Sequence, residues 1–118
     1  DGLCELTVTA PTLVSELRDG TIREYTITAE EMGLRPGKLD DIRTDSAEES
    51  AKMILAILSG EDQGTPRDMA LINTSGALVV AGLADDLKQG VSLASEAVDS
   101  GRALEKLELL KTFSQQAA

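Results

Sequence analysis

The strongest structural signal in this sequence is Leu13-Val-Ser-Glu-Leu-Arg-Asp-Gly-Thr-Ile-Arg-Glu-Tyr-Thr-Ile-Thr28. Two runs of residues typical of β-strands, 13–17 and 21–28, lie on either side of Asp19-Gly20. Asp-Gly readily adopts the positive φ angles that a tight turn between antiparallel strands requires. The stretch therefore predicts a β-hairpin.

The segments on either side of this stretch carry weaker signals. Residues 6–14 are rich in Thr and Val but contain Pro11, which predicts an irregular strand pair or a strand with a bulge. Residues 29–41 contain Gly33, Pro36 and Gly37, which predicts a connector with a short turn near its start.

Four helices are predicted after the connector. Each begins at a residue or pair typical of helix starts, or directly after a glycine, and apolar residues recur at helical spacing in each. The predicted helices are Ser46 to Gly60 with a Ser-Ala-Glu-Glu capping box, Thr65-Pro66 to Ala81, Asp85 to Gly101, and Arg102 to about Phe113 with a frayed tail over 114–118.

The second helix, 66–81, is apolar on nearly every side, which predicts that it is the most buried element. Leu71, Leu78 and Val79 are therefore expected to be almost inaccessible to solvent. Asn73 is the one polar side chain expected to be buried in this helix. A hydrogen bond from Asn73 to a loop backbone is favoured over a contact with substrate.

Composition excludes several classes of protein. The chain has 118 residues, a formal charge of −10, no His or Trp, and only 2% aromatic residues. This charge repels phosphate backbones, so no nucleic-acid partner is expected. No apolar run approaches the ~18 residues of a membrane span, so no membrane partner is expected either. A single cysteine fits a reducing compartment, and the predicted location is cytoplasmic.

The chain opens with Asp1-Gly2-Leu3-Cys4-Glu5, which resembles the Asp-Gly-Leu-Asp-Glu stretch of the anthranilate phosphoribosyltransferases. The resemblance continues in the same order along nearly the whole chain. It is carried by Thr9-Ala-Pro-Thr-Leu-Val-Ser-Glu-Leu-Arg-Asp-Gly20, Glu24-Tyr-Thr-Ile-Thr-Ala-Glu-Glu-Met-Gly-Leu34, Arg67-Asp-Met-Ala-Leu-Ile-Asn73 and the stretch 95–104.

The resemblance implies an α+β fragment, a β-hairpin plus about four helices, of a larger α/β domain of the nucleoside phosphorylase/anthranilate phosphoribosyltransferase type. Residues 1–118 would be the C-terminal portion of that glycosyltransferase domain. The family's N-terminal helical domain and phosphate-loop region would then precede the chain. The parent enzyme would be a homodimer that joins phosphoribosyl pyrophosphate to anthranilate in tryptophan biosynthesis, and this chain alone would be inactive.

The resemblance also implies magnesium as the cofactor. The family's Asp-Glu pair holds the ion beside pyrophosphate, and Cys4 and Glu5 occupy those two positions here. Magnesium prefers hard oxygen ligands, so the Cys4 thiol is a poor substitute for a carboxylate. Glu5 can hold the metal alone or through waters, or the site can be weakened. Otherwise Glu5 is an ordinary surface acid and Cys4 a small buried residue. Asp1 is a weak candidate for substrate contact.

Other charged residues have simpler interpretations. Arg67 lies near a predicted helix start and can reach a phosphate, but a surface or capping salt bridge is favoured. The acidic pairs lie in the first turns of helices or just before them, where negative charge suits the helix dipole, and none is interpreted as a metal site. These pairs are Asp40-Asp41, Glu48-Glu49 and Asp85-Asp86.

Two rival functions remain open. A non-catalytic paralogue of the same fold would act as a binding or scaffold protein, and Cys4 is the feature that favours it. A free-standing helical interaction module is disfavoured by the length of the family resemblance.

Overall fold

A computed structural model describes residues 1–116 of the chain. A two-stranded antiparallel hairpin is followed by one short 3-10 helix, Leu39–Ile42, and four α-helices. The strands are β1 (Thr12–Arg18) and β2 (Thr21–Ile27), and the helices are α1 (Ala47–Leu58), α2 (Thr65–Val80), α3 (Leu87–Asp99) and α4 (Arg102–Gln116). The α+β prediction of a hairpin and four helices is confirmed.

The hairpin forms where the sequence predicts it. Asp19 and Gly20 make the turn with φ angles of 50° and 75°, and Leu17 pairs with Ile22 across the strands. Such positive φ angles match the twist of the two strands, which explains why an Asp-Gly pair is found there. β2 ends on the buried Ile27, so one end of the hairpin is fixed in the core.

The prediction of an irregular or bulged strand over 6–14 is wrong for residues 6–11, because β1 begins only at Thr12. In this segment threonine hydroxyls take the place of a strand partner. Thr7 Oγ1 accepts a hydrogen bond from the Thr9 amide at 3.0 Å, and Thr12 Oγ1 accepts one from the Thr7 amide at 3.4 Å. Local side-chain bonds of this kind compete with ladder formation.

Helix caps agree with the predicted starts to within about two residues. Ser46 caps α1, where its hydroxyl accepts a hydrogen bond from the Glu49 amide at 3.1 Å. Asp86, not the predicted Asp85, caps α3. Gly64, not Thr65, precedes α2. α4 extends past the predicted end at Phe113 to Gln116, so 114–116 are helical, while residues 117–118 of the predicted frayed tail lie outside the described residues.

The core lies where α2 and α3 cross. The connector after β2, with Ala29 and Leu34, and the segment before β1, with Val8, pack on this crossing. Ile72 of α2 is fully buried, and Gly90 of α3 packs directly against Ser75. The buried apolar residues of this core are Val8, Ile27, Ala29, Leu34, Leu71, Ile72, Val91, Ala94 and Val98.

The expectation that α2 is apolar and inaccessible throughout is only partly correct. Leu71 is buried as predicted, but Leu78 and Val79 are half-buried and Val80 is 91% exposed. α3 and the loop near Val8 cover the first half of α2, and no element within residues 1–116 encloses its last turns. The apolar pattern of α2 therefore continues beyond the surface that its neighbours cover.

Arg67 makes an ion pair, but a buried one rather than the predicted surface or capping pair. Its side chain is 7% exposed, and Nη2 lies 2.7 Å from Asp99 Oδ1 and 3.0 Å from Ser95 Oγ on α3. The pair joins the first turn of α2 to the end of α3. Within residues 1–116 no helix has the length and apolar character needed to span a bilayer.

Candidate functional site

The N-terminal loop borders an open groove of about 670 Å³. One wall is the loop itself, 3–6, and the opposite wall is the start of β1, 12–15. The floor comes from the middle of α2, where Gly76 and Ala77 leave room because their side chains are small or missing. The groove brings together the N-terminal loop, the hairpin and Asn73 of α2.

Asn73 fastens one end of the loop to α2. Its Oδ1 accepts a hydrogen bond from the Leu6 amide at 3.1 Å, and its Nδ2 donates to the Leu6 carbonyl at 2.8 Å and to Met69 O at 3.0 Å. The prediction that Asn73 bonds to a loop backbone is confirmed. The prediction that it is the one buried polar side chain is wrong, because Asn73 is half-buried and the buried polar residues of α2 are Arg67, Asp68 and Ser75. A polar residue in an apolar helix was the sequence signal for this contact.

Asp1 fastens the other end of the loop. Its Oδ1 accepts a hydrogen bond from the Leu3 amide at 2.9 Å, and its Oδ2 accepts one from the Thr9 hydroxyl at 2.6 Å. Gly2 lies between Asp1 and Leu3 with a φ of 89°, a conformation in which an L side chain would be strained. Sequence reasoning missed Thr9, and the Thr-x-Thr spacing of residues 7–9 was the available signal.

Cys4 and Glu5 lie between these two anchors at the groove. Both are exposed, and neither side chain makes a hydrogen bond or ion pair with another residue of 1–116. The interpretation of Cys4 as a small buried residue is therefore wrong. Glu5 remains a free carboxylate at the edge of the groove.

The donor set at the loop fits magnesium only in part. Glu5 supplies one hard oxygen, whereas the Cys4 thiol is soft and Asp1 already holds the loop. Across residues 1–116 no group of three or more His, Cys, Asp or Glu residues could hold a metal ion. Magnesium commonly uses one or two carboxylates together with substrate phosphates and waters, and a single Glu5 fits that mode of binding.

The remaining charged candidates serve the fold. Asp68 is buried and accepts hydrogen bonds from Arg35 N and Nε, both at 3.3 Å. Asp41 accepts hydrogen bonds from the Lys38 amide and the Thr65 hydroxyl, so it ties the 3-10 helix to α2. Arg67 is held by Ser95 and Asp99 and does not line the groove.

Comparison with known proteins identifies the family. The family model described as "Glycosyl transferase family, a/b domain" matches residues 1–104. The chain belongs to this family. The matched residues include the loop that borders the groove, the hairpin and α1 to α3.

Several relatives of this chain are named anthranilate phosphoribosyltransferase. The chain is 39% identical over 117 residues to the one from Methylobacillus flagellatus, a match that covers 99% of this chain and 34% of that protein. It is 44% identical over 114 residues to the one from Methanococcoides burtonii, covering 97% and 32%. The chain thus spans about a third of the length of these relatives.

A solved structure agrees with the sequence matches. The crystal structure of anthranilate phosphoribosyltransferase from Thermus thermophilus superposes with a TM-score of 0.82 at 32% identity. The match covers 92% of this chain and 32% of that one. The hairpin and helices thus have the fold of about a third of that structure, as the sequence resemblance implied.

Proposed function

We propose that this chain is part of an anthranilate phosphoribosyltransferase, which transfers the phosphoribosyl group of phosphoribosyl pyrophosphate to anthranilate. The observation that carries the proposal is the similarity to relatives of that name, 39–44% identity over nearly the whole chain. On this proposal, residues 1–118 form the C-terminal portion of the glycosyltransferase domain. The parent enzyme is a cytoplasmic homodimer that works in tryptophan biosynthesis.

The proposed reaction displaces pyrophosphate from the anomeric carbon of the ribose by the amine of anthranilate. Magnesium would stabilise the negative charge that develops on the departing pyrophosphate. In this chain Glu5 would be the residue that holds the ion, because its carboxylate is exposed at the groove and has no other partner within residues 1–116. Cys4 contributes no hard ligand, and Asp1 acts on the loop rather than on the metal.

The test compares Glu5→Gln, Cys4→Asp and wild type in the full-length enzyme, by rate against free magnesium at saturating substrate. Glu5→Gln should raise the magnesium requirement by about 10-fold and slow turnover, because it removes a charged oxygen ligand. Cys4→Asp should lower the requirement, because it adds one. Glu30→Gln is the matched control, since Glu30 is also exposed but lies in the turn after β2, away from the groove.

Cys4 supports a second candidate function, a non-catalytic paralogue that binds or scaffolds. In that case the full-length protein would show no transfer at any magnesium concentration. If wild type, Glu5→Gln and Cys4→Asp show the same dependence of rate on free magnesium, the protein is an enzyme whose N-terminal loop does not bind the metal.

A further inference from the structure

The side chains of Leu3, Cys4 and Glu5 make no hydrogen bond or ion pair with another residue of 1–116. Both Cys4 and Glu5 are exposed and unbonded, yet the flanking residues on each side make specific polar contacts. We propose that Asn73 and the Asp1–Thr9 pair are positioning residues, which hold this loop from both ends so that Glu5 faces the groove. The inference rests on the proposed function, because it assigns Glu5 the metal.

The Asn73 side chain binds the Leu6 backbone as a neighbouring β-strand would. Its carboxamide accepts from the Leu6 amide at 3.1 Å and donates to the Leu6 carbonyl at 2.8 Å, so both backbone groups are satisfied by one side chain. The third bond, to Met69 O of the same helix, sets the orientation of the carboxamide. Leu6 directly follows Glu5, so this anchor lies one residue from the proposed ligand.

The helix that carries Asn73 is packed into the core at this point. Ile72 is 0% exposed and Leu71 is 3% exposed, so the turn around Asn73 is fixed in the core. Asn is a poorer helix former than Ala or Leu, so its presence here costs some helix stability. The contact with Leu6 offsets that cost and links the loop to the buried core.

The Asp1–Thr9 pair closes the loop at the other end. The 2.6 Å bond from the Thr9 hydroxyl to the Asp1 carboxylate is a charge-assisted hydrogen bond, which is stronger than a neutral one. Thr9 is in turn held by Thr7, whose side-chain oxygen accepts from the Thr9 amide at 3.0 Å. Thr7 is only 4% exposed, so this anchor also leads to the buried part of the chain.

The two anchors together restrict the loop before any ligand arrives. A loop held in its binding conformation loses less conformational entropy when it takes up an ion. Loosening either anchor should therefore weaken metal binding by Glu5, although neither Asn73 nor Thr9 would touch the metal.

The experiment uses the full-length enzyme and five variants. Thr9→Val removes the hydroxyl at constant shape, and Thr9→Ser restores it. Asn73→Leu removes the carboxamide, and Thr74→Val is the control, since the Thr74 hydroxyl bonds only to Ala70 O of its own helix. Two properties are measured: hydrogen exchange of the peptide that covers residues 2–8, and binding of Mn²⁺ with inorganic pyrophosphate, followed by electron paramagnetic resonance. Glu5→Gln is titrated alongside.

We expect Thr9→Val and Asn73→Leu to speed exchange in this peptide and to weaken Mn²⁺ binding about 2- to 10-fold, because binding must then order a loop that is no longer held in place. Thr9→Ser and Thr74→Val should behave as wild type. If Asn73→Leu does not fold, Thr9→Val alone tests the inference, because it changes a surface loop and is expected to fold.

Unchanged exchange in Thr9→Val would overturn the inference. Faster exchange with unchanged Mn²⁺ binding, while Glu5→Gln weakens that binding, would also overturn it and leave the proposed function intact. If Glu5→Gln itself binds Mn²⁺ like wild type, the metal role of Glu5 fails, and the positioning role fails with it.

Discussion

At the scale of single residues, Tyr25 on the inner face of the hairpin has a perturbed proton affinity. Burial, and then the charge and hydrogen bond of Glu16, raise the pKa of Tyr25 above its ordinary value of 10.0. Arg23 and Arg18 act in the opposite direction but do not outweigh these effects. The folded chain therefore holds the phenol proton more tightly than the unfolded chain does.

The first prediction concerns this proton. The contribution of Tyr25 to stability should be complete below pH ~10 and should be lost as the pH rises from there through the higher folded pKa. Tyr25 is the only tyrosine and there is no Trp, so tyrosinate absorbance reports this one group. The absorbance should titrate at higher pH in the folded chain than in urea, and Tyr25→Phe should weaken the alkaline loss of stability. Coincident titrations would contradict the assignment.

The second prediction concerns Arg67, whose buried guanidinium depends on Asp99. Asp99→Ala should lower the unfolding free energy by up to about 3 kcal/mol, because it leaves the buried charge of Arg67 without its partner. This is the lower end of the range for breaking a buried ion pair, since Asp99 is half-exposed. Ser95→Ala should cost less, about 1–2 kcal/mol, because it removes the two hydrogen bonds that the Ser95 hydroxyl makes to Arg67 and Asp99 but leaves the ion pair in place. Urea denaturation of both variants measures the difference. Equal, small losses would show that the guanidinium is solvated.

At the scale of elements, the crossing of α2 and α3 organises the core. It is close because Gly90 has no side chain at the point of contact. A Cβ added there would lie 2.8 Å from both Cα and Cβ of Ser75, which real contacts do not allow. Close packing of this kind can only be relieved by separating the helices.

The third prediction tests this crossing. Gly90→Ala should destabilise the chain by about 1–3 kcal/mol through overpacking, even though Ala is the better helix former. Gly76→Ala is the matched control in α2, since its Cβ would meet only Leu6 Cδ1 at 3.1 Å, the end of a flexible side chain. Thermal unfolding should separate the two variants. A Gly90→Ala chain as stable as wild type would show that the helices cross less closely.

At the scale of the whole molecule, the chain covers its apolar residues incompletely. Its radius of gyration is 15.3 Å, against about 13.5 Å for a compact domain of this length. Large apolar side chains are exposed on the outer face of the hairpin, on the last turn of α2 and near the end of α4: Leu13, Leu17, Ile22, Val80, Leu109, Leu110 and Phe113. The exposed last turn of α2 is one part of this uncovered apolar surface.

The fourth prediction follows from the share of the relatives that the chain covers, about a third. The isolated chain of 118 residues should show no phosphoribosyl transfer, because the phosphate loop and anthranilate pocket that the family resemblance implies are not in its sequence. The assay is loss of anthranilate fluorescence with phosphoribosyl pyrophosphate and magnesium. A full-length relative serves as the positive control, and turnover by the isolated chain would contradict the prediction.

Local features of the molecule could be read from the sequence because they depend on neighbours a few residues apart. The Asp19-Gly20 turn needs only two residues that accept positive φ. The Ser46 cap needs one hydroxyl three residues before a free amide. The family resemblance was likewise carried by short, ordered stretches of sequence, and it led to the loop that contains Glu5.

Only the tertiary structure decided which side chains meet across the chain. The sequence predicts Asp85 as the α3 cap, but Asp86 caps the helix, and the Asp85 carbonyl instead accepts hydrogen bonds from Arg18 of the hairpin at 3.1 Å. The Leu6 partner of Asn73 lies 67 residues away in the sequence. Burial along α2 was decided in the same way, because an apolar side chain is buried only where another element covers it. Such contacts depend on how whole faces of helices and loops pack, which no local pattern of residues encodes.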